Sequence, residues 1–249
     1  MPTVELSPFY DFPLPPKWYY WWEEWDDELT GQTTSAAAGN RWIHTLLSSG
    51  TFAQTTDEQF GVAVLSGAAA GDNSGAQVQG DMEFAALIAG KKTRWMCRAK
   101  LSDATNTHFF TGLSITDSSV CDGADGIAGL TPTDCIGFYK ADDAATVALV
   151  VKRDSTVVCN TVVATLEDAT YYWFVFEAAM DSLTAGKGSV QGWVFNSSGT
   201  LLGQTAPISS LTMPYSGEEI LTPTLAMTAG NATGTKSLTV DCAGLAIER

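Results

Sequence analysis

Carboxylates are the side chains of this chain best suited to chemistry, and their spacing decides which chemistry is open to them. A retaining glycosidase needs two acids about 5 Å apart, which a Glu-x-Asp-x-x-Glu run on one strand supplies, since alternate residues share a face. No such run occurs: Glu83, Glu167 and Glu177 stand alone, and Glu218 and Glu219 sit between Gly217 and the run that leads to Pro223. His44 and His108 are the two histidines, so a histidine-rich metal centre is excluded and a Ser-His-Asp triad would have to use one of them. His108 opens an apolar run and shares a face with Phe110, the pattern of a packed, partly buried imidazole. No Gly-x-Ser-x-Gly elbow and no phosphate-binding glycine loop is present. Within residues 117–129, Asp122 and Asp125 could offer carboxylates to Ca²⁺. The bidentate Glu that closes an EF-hand is missing there, and the stretch reads as a glycine-rich surface loop. These residues assign no catalytic group, no metal and no cofactor, and the chain is expected not to be an enzyme.

Composition narrows the remaining classes. The 28 acidic against 13 basic residues give a net charge of −15, which leaves phosphate-backbone binding without an electrostatic basis, so nucleic acid is not an expected partner. Cys97, Cys121, Cys135, Cys159 and Cys242 are odd in number, widely spaced and free of any CxxC pair, unlike a disulfide framework or a zinc site. They are read as small hydrophobes in a reducing compartment. The opening MPTVELSPFYDF has neither a basic n-region nor a continuous apolar h-region, and no run reaches the length of a membrane span. Secretion by signal peptide and membrane insertion are not expected.

Residues 1–39 differ from the rest. Pro2, Pro8, Pro13, Pro15 and Pro16 precede Trp18, Tyr19, Tyr20, Trp21 and Trp22, and Glu23, Glu24, Asp26, Asp27 and Glu28 surround Trp25. Proline fixes φ and lacks the amide donor, so an extended arm is expected that turns helical only near residues 18–29 and adds no strand to the core. Its aromatic rings must be hidden, either as a lid on their own domain or as anchors in a neighbouring subunit. Residues 31–39 (GQTTSAAAG) read as a linker, and the domain proper spans 40–249.

In that domain short alternating runs end in Gly, Asp, Asn or Ser, with almost no helical pattern. Strands are expected at 40–47, 60–65, 76–88, 91–101, 107–116, 135–140, 146–153, 156–165, 170–178, 189–196 and 237–248, with 210–229 less regular. About ten strands on short turns point to an all-β, two-sheet antiparallel sandwich of the jelly-roll, concanavalin-like kind. The strand at 91–101 alternates Trp95, Cys97, Ala99 and Leu101 with Arg94, Met96, Arg98 and Lys100, giving one core face and one basic face. Lys91, Lys92, Arg94, Arg98 and Lys100 are five of the thirteen basic residues. Either that stripe is a solvated face that discourages edge pairing, or it receives an acidic surface of a partner or of a second copy.

The succession WMCRAKLS at 95–102, HFFTGL at 108–113, DCIGFYK at 134–140, DST at 154–156 and YYWFVF at 171–176 resembles the concanavalin-like jelly-roll domains of tailed-bacteriophage virion proteins. The resemblance covers residues 76–200 and leaves the arm outside. It implies a capsid decoration (cement) protein or other virion structural protein, made in the host cytoplasm, placed on the capsid surface, contacting the major capsid protein or other virion proteins, and often a homotrimer. The interface would then draw on Trp18, Tyr19, Tyr20, Trp21, Trp22 and Trp25 of the arm and on Arg94, Arg98 and Lys100 of the stripe. The same sandwich carries lectins and glycosidases, so a carbohydrate-binding module, a tail adhesin or a glycosidase-like enzyme are the alternatives.

Overall fold

The structure is a computed structural model that describes residues 18–23, 25, 42–55, 61–68, 74–80, 87–122, 124–214, 220–230 and 234–248. In chain order the strands are β1 (Trp18–Glu23), β2 (Trp42–Leu47), β3 (Thr51–Thr55), β4 (Val62–Gly67), β5 (Gly75–Gly80), β6 (Lys92–Leu101), β7 (Thr107–Ser114), β8 (Cys135–Lys140), β9 (Thr146–Arg153), β10 (Thr156–Thr165), β11 (Tyr172–Met180), β12 (Lys187–Asn196), β13 (Leu201–Gln204), β14 (Ile208–Thr212), β15 (Thr222–Ala229) and β16 (Lys236–Glu248). A single 3-10 turn, Gly126–Gly129, is the only helical piece among the described residues.

Every pairing is antiparallel. Sheet A runs β13-β12-β11-β6-β16-β4-β3, with β14 also on β12 and β1 also on β16, and sheet B runs β10-β9-β8-β7-β15-β5-β2. The two sheets bury one core between them, because each strand turns alternate residues inward. From sheet A come Trp95, Phe174, Phe176, Val194 and Leu245, and from sheet B Phe109, Phe138, Leu149 and Leu225. Phe174 meets Phe109 and Phe138 across the gap at 5.1 and 5.6 Å between ring centres. One polar contact crosses the gap as well: the Trp95 indole donates to Thr111 Oγ1 at 3.0 Å, which lets the largest side chain of β6 sit dry in the middle of the sandwich.

The arm differs from the sequence expectation. Trp18–Glu23 is a strand, not the beginning of a helix, and it pairs with Ala243–Glu248 on the edge of β16 that β4 occupies further up. Proline does not prevent this, because all five prolines of the arm lie before Trp18 and each amide of the strand can donate. Trp21 turns inward, edge-on to Trp42 at 5.1 Å and stacked at 6.5 Å on Trp95. Trp25 is 1% exposed and stacks on Trp42 at 5.2 Å. Glu23 clamps this arrangement, one carboxylate oxygen accepting from the Trp42 indole and the other from the Trp25 amide. The arm therefore contributes a strand and two rings to the domain, which corrects the view that it adds no strand. The side chains of Trp18, Tyr19, Tyr20 and Trp22, and the linker at 31–39, lie outside the described residues.

β6 also corrects one reading. It is a central strand between β11 and β16, so its charges guard no edge. The five cysteines form no disulfide and are buried, as small hydrophobes should be, and burial pushes the Cys97 and Cys135 thiols up to about 12.

Truncating Trp21 or Trp25 to Ala should lower unfolding stability by about 3–5 kcal/mol each, the range for losing a large aromatic from a packed core. Urea unfolding read by circular dichroism checks this, and a midpoint unchanged in both variants would show that the arm is not part of the domain.

Candidate functional site

A sandwich has two outer faces, and here one is closed. The loop from Ile115 to Asp134 lies over sheet B, where Val120, Cys121 and Leu130 pack on Phe110, Tyr139, Val150 and Ala226 in a second, smaller apolar cluster. Gln77 and Gln79, outward on β5 and nearly inaccessible, hold its first half. Gln79 Oε1 accepts from the Asp117 amide at 3.0 Å while its Nε2 donates to the Ile115 carbonyl at 3.1 Å. Gln77 does the same with the Val120 amide at 2.8 Å and the Asp117 carbonyl. Further along, Lys152 Nζ donates to the Leu130 carbonyl at 2.6 Å and the Tyr139 hydroxyl to the Gly126 carbonyl at 2.9 Å. The middle of this face is thereby covered by the chain itself.

At one end of the same face lies the titratable cluster that sequence reasoning only half anticipated. His108 is fully buried, with Nδ1 3.1 Å from the Tyr139 hydroxyl and Nε2 3.1 Å from Asp142 Oδ1. Asp125 comes together not with Asp122 but with Asp142 and Asp143 of the β8–β9 turn, their oxygens within 4.8 Å of one another. Asp122 instead accepts from the Ala124 amide at 3.0 Å. Burial pushes the Asp142 carboxyl up, His108 pulls it back, and Asp143 and Asp125 add to the rise. Gly230 matters here because a Cβ at that position would come within 2.7 Å of Asp142 Oδ2. Lys140, also buried, gives its ammonium to the carbonyls of Thr105, Thr107 and Ala141, and burial brings it down to about 8. His108 and Asp142 would be two members of a hydrolytic triad, but Tyr139 takes the place where a serine would stand.

Among the described residues, no loop covers the outer face of sheet A over β11 and β12. Because Phe174, Phe176, Val190 and Val194 point inward, alternation turns Trp173, Val175 and Glu177 of β11 and Gln191, Trp193 and Phe195 of β12 outward, all half-buried. The register sets Phe195 beside Trp173 and Trp193 beside Val175, and continues to Arg98 and Met96 on β6. The predicted basic stripe lies on this face, and its two arginines pair within the sheet. Arg94 and Lys92 both reach Glu177, at 2.6 and 2.8 Å, and Arg98 reaches Asp241 at 2.6 Å. The Arg98 guanidinium also lies 4.4 Å from the Tyr171 ring centre, with Lys100 Nζ at 4.3 Å on the same ring and Trp173 5.9 Å away. Of the arm residues expected at an interface, Trp21 and Trp25 are in the core instead. Sequence reasoning missed Tyr171, Trp173, Trp193 and Phe195 as a surface, although period two in 170–178 already separates Trp173 and Val175 from the inward phenylalanines. Glu83, Glu218 and Glu219 lie outside the described residues.

No protein-family model matches the chain, and no curated protein matches it in sequence. Solved structures do match it in shape. The CBM2 module of the evolved Dit of Lactobacillus casei BL23 phage J-1 aligns over 94% of this chain and 97% of its own, with 11% identity and a TM-score of 0.57. Peanut lectin aligns over 92% and 97%, with 12% identity and a TM-score of 0.52. This fold is a concanavalin-like jelly roll. An endo-1,3-beta-glucanase from Streptomyces sioyaensis shares the jelly roll over 86% of this chain and 99% of its own, at 8% identity and a TM-score of 0.50.

Burial alone would raise the Glu177 carboxyl, but the hydrogen bonds and charges of Lys92 and Arg94 outweigh it and hold the group below its ordinary 4.5. A folded-state value below the unfolded one stabilises the fold fully above about 4.5 and ceases to do so as pH falls through the lowered value. Glu177→Gln should therefore cost about 1 kcal/mol at neutral pH and progressively less in acid. Urea unfolding of both proteins across that range checks it, and a pH-independent difference would refute the pairing.

Proposed function

We propose that this chain is a non-enzymatic glycan-binding module of a phage particle, and that it binds through the outer face of sheet A. The observation that carries the reading is the set of outward aromatic rings, Tyr171, Trp173, Trp193 and Phe195, interleaved with polar groups that ion pairs already hold in place. Sugar rings present flat C–H faces to aromatic rings and hydroxyls to fixed donors and acceptors, and here Arg98, Glu177 and Gln191 offer both. Gln191 is itself oriented by its bond to the Thr205 carbonyl at 3.1 Å. Chemistry on this face is disfavoured, because a glycosidase acid needs a raised pKa whereas Glu177 is lowered and Asp241 is bound to Arg98. The full-length match to a phage Dit CBM2 module, together with the lectin match, supports both the ligand class and the particle. A capsid decoration role drew its anchor from the aromatic arm, of which Trp21 and Trp25 dock in cis.

A glycan array probed with the full chain should give specific binding. Trp173→Ala and Trp193→Ala should each weaken it about tenfold, the loss of one ring's stacking, without moving the thermal midpoint by more than a few degrees. Absence of glycan binding, combined with attachment to purified phage heads, would replace this reading with the decoration protein.

A further inference from the structure

We infer that Trp193, Gln191 and Glu177 form one subsite, which takes a sugar ring through two neighbouring free hydroxyls that act as donors. This rests on the glycan reading and narrows it to a chemical class. Gln191 and Trp193 are alternate residues of β12, about 7 Å apart along one face. They point outward because Gly192 between them faces the core, against Phe138 and Leu149. The register sets Glu177 directly across from Gln191, and Val175 across from Trp193. One ring and two polar heads are therefore contiguous on the outer face of sheet A.

The polarity of both heads is fixed by their own partners. A carbonyl oxygen only accepts, so the nitrogen of Gln191 must be the amide atom that faces the Thr205 carbonyl, at 3.1 Å. The amide oxygen is thereby turned to the other side as an acceptor. Thr205 is 3% exposed and is itself held, its amide donating to the Gly192 carbonyl at 2.9 Å and its hydroxyl accepting from the Gly192 amide at 3.1 Å. On Glu177, Oε2 takes both Nε and Nη2 of Arg94 at 2.6 Å. Its Oε1 takes Lys92 Nζ at 2.8 Å and, among the described residues, keeps its second lone pair.

Two acceptors side by side match two donors side by side on the ligand, and the vicinal diol of a pyranose has that form. A sugar whose C–H face lies on Trp193 turns one edge toward Gln191 and Glu177, where such a diol donates to the amide oxygen and to the carboxylate. An edge whose hydroxyls are methylated or acylated has acceptors alone and meets the two oxygens lone pair to lone pair, which leaves all of them unsatisfied.

The probes are the methyl glycosides of glucose, galactose and mannose with their monodeoxy and deoxyfluoro analogues, titrated into the full chain and followed by nuclear magnetic resonance. Fluorine can stand where a hydroxyl stood but cannot donate. At two neighbouring ring positions, fluorine and hydrogen should each weaken binding about tenfold, and at the other positions both should be tolerated. Gln191→Met keeps the length of the side chain and removes its acceptor. It should weaken the parent glycoside by a similar factor and abolish the further loss at one of the two positions, with the thermal midpoint within a few degrees of the parent chain. Binding that is lost in Trp193→Ala yet indifferent to Gln191→Met and to every fluorine would overturn the subsite and leave the glycan reading standing. No binding by any of the glycosides would also overturn the subsite, and an empty glycan array beside it would overturn the glycan reading as well.

Discussion

Two glutamine side chains determine which surfaces of this protein are available. A primary amide carries a donor and an acceptor in one plane, much as a peptide group does, and Gln77 and Gln79 present theirs outward from β5 to the backbone of the Ile115–Asp134 loop. The loop is thus bound as an irregular extra layer, with its amides and carbonyls satisfied by side chains instead of a neighbouring strand. Ser114 and Thr224 complete the network around Gln79 at 3.1 and 3.2 Å, so the polar layer is buried without being left unpaired. With that face closed, the aromatic face of sheet A is the one left uncovered among the described residues.

On sheet A the ion pairs have a geometric role. Arg98 held by Asp241, and Glu177 held by two cations, keep long side chains in fixed positions between the tryptophans. A flat surface of rings and immobilised polar groups loses little conformational entropy when something settles on it. The same pairing neutralises locally what the sequence shows as a basic stripe, so its length in residues overstates its field.

The jelly roll was legible because alternation is a local signal. Cys135–Lys140, Thr146–Arg153 and Thr156–Thr165 fall where the period-two pattern and the Asp-Ser turn place them. β13 and β14 were missed because Leu201–Gln204 and Ile208–Thr212 are short, exposed edge pieces with little burial to impose alternation. β1 was missed for a different reason: its partner lies at the far end of the chain, and no local pattern reports that Trp21 will sit opposite Leu245. The meeting of Asp125 with Asp142 and Asp143 is likewise a product of tertiary packing, joining a loop to a turn across the covered face.

β16 has a consequence for how the molecule is made. It is the strand on which sheet A turns, with β6 on one edge and both β4 and β1 on the other. Until Lys236–Glu248 has left the ribosome, the halves of that sheet have nothing to join them, and Trp21 has no strand to hold it over the core. Sheet B, whose strands from β7 to β10 follow one another as hairpins, can form earlier. The nascent chain therefore exposes the inner face of one sheet until β16 follows, the interval in which a chaperone or a premature contact with another chain would act.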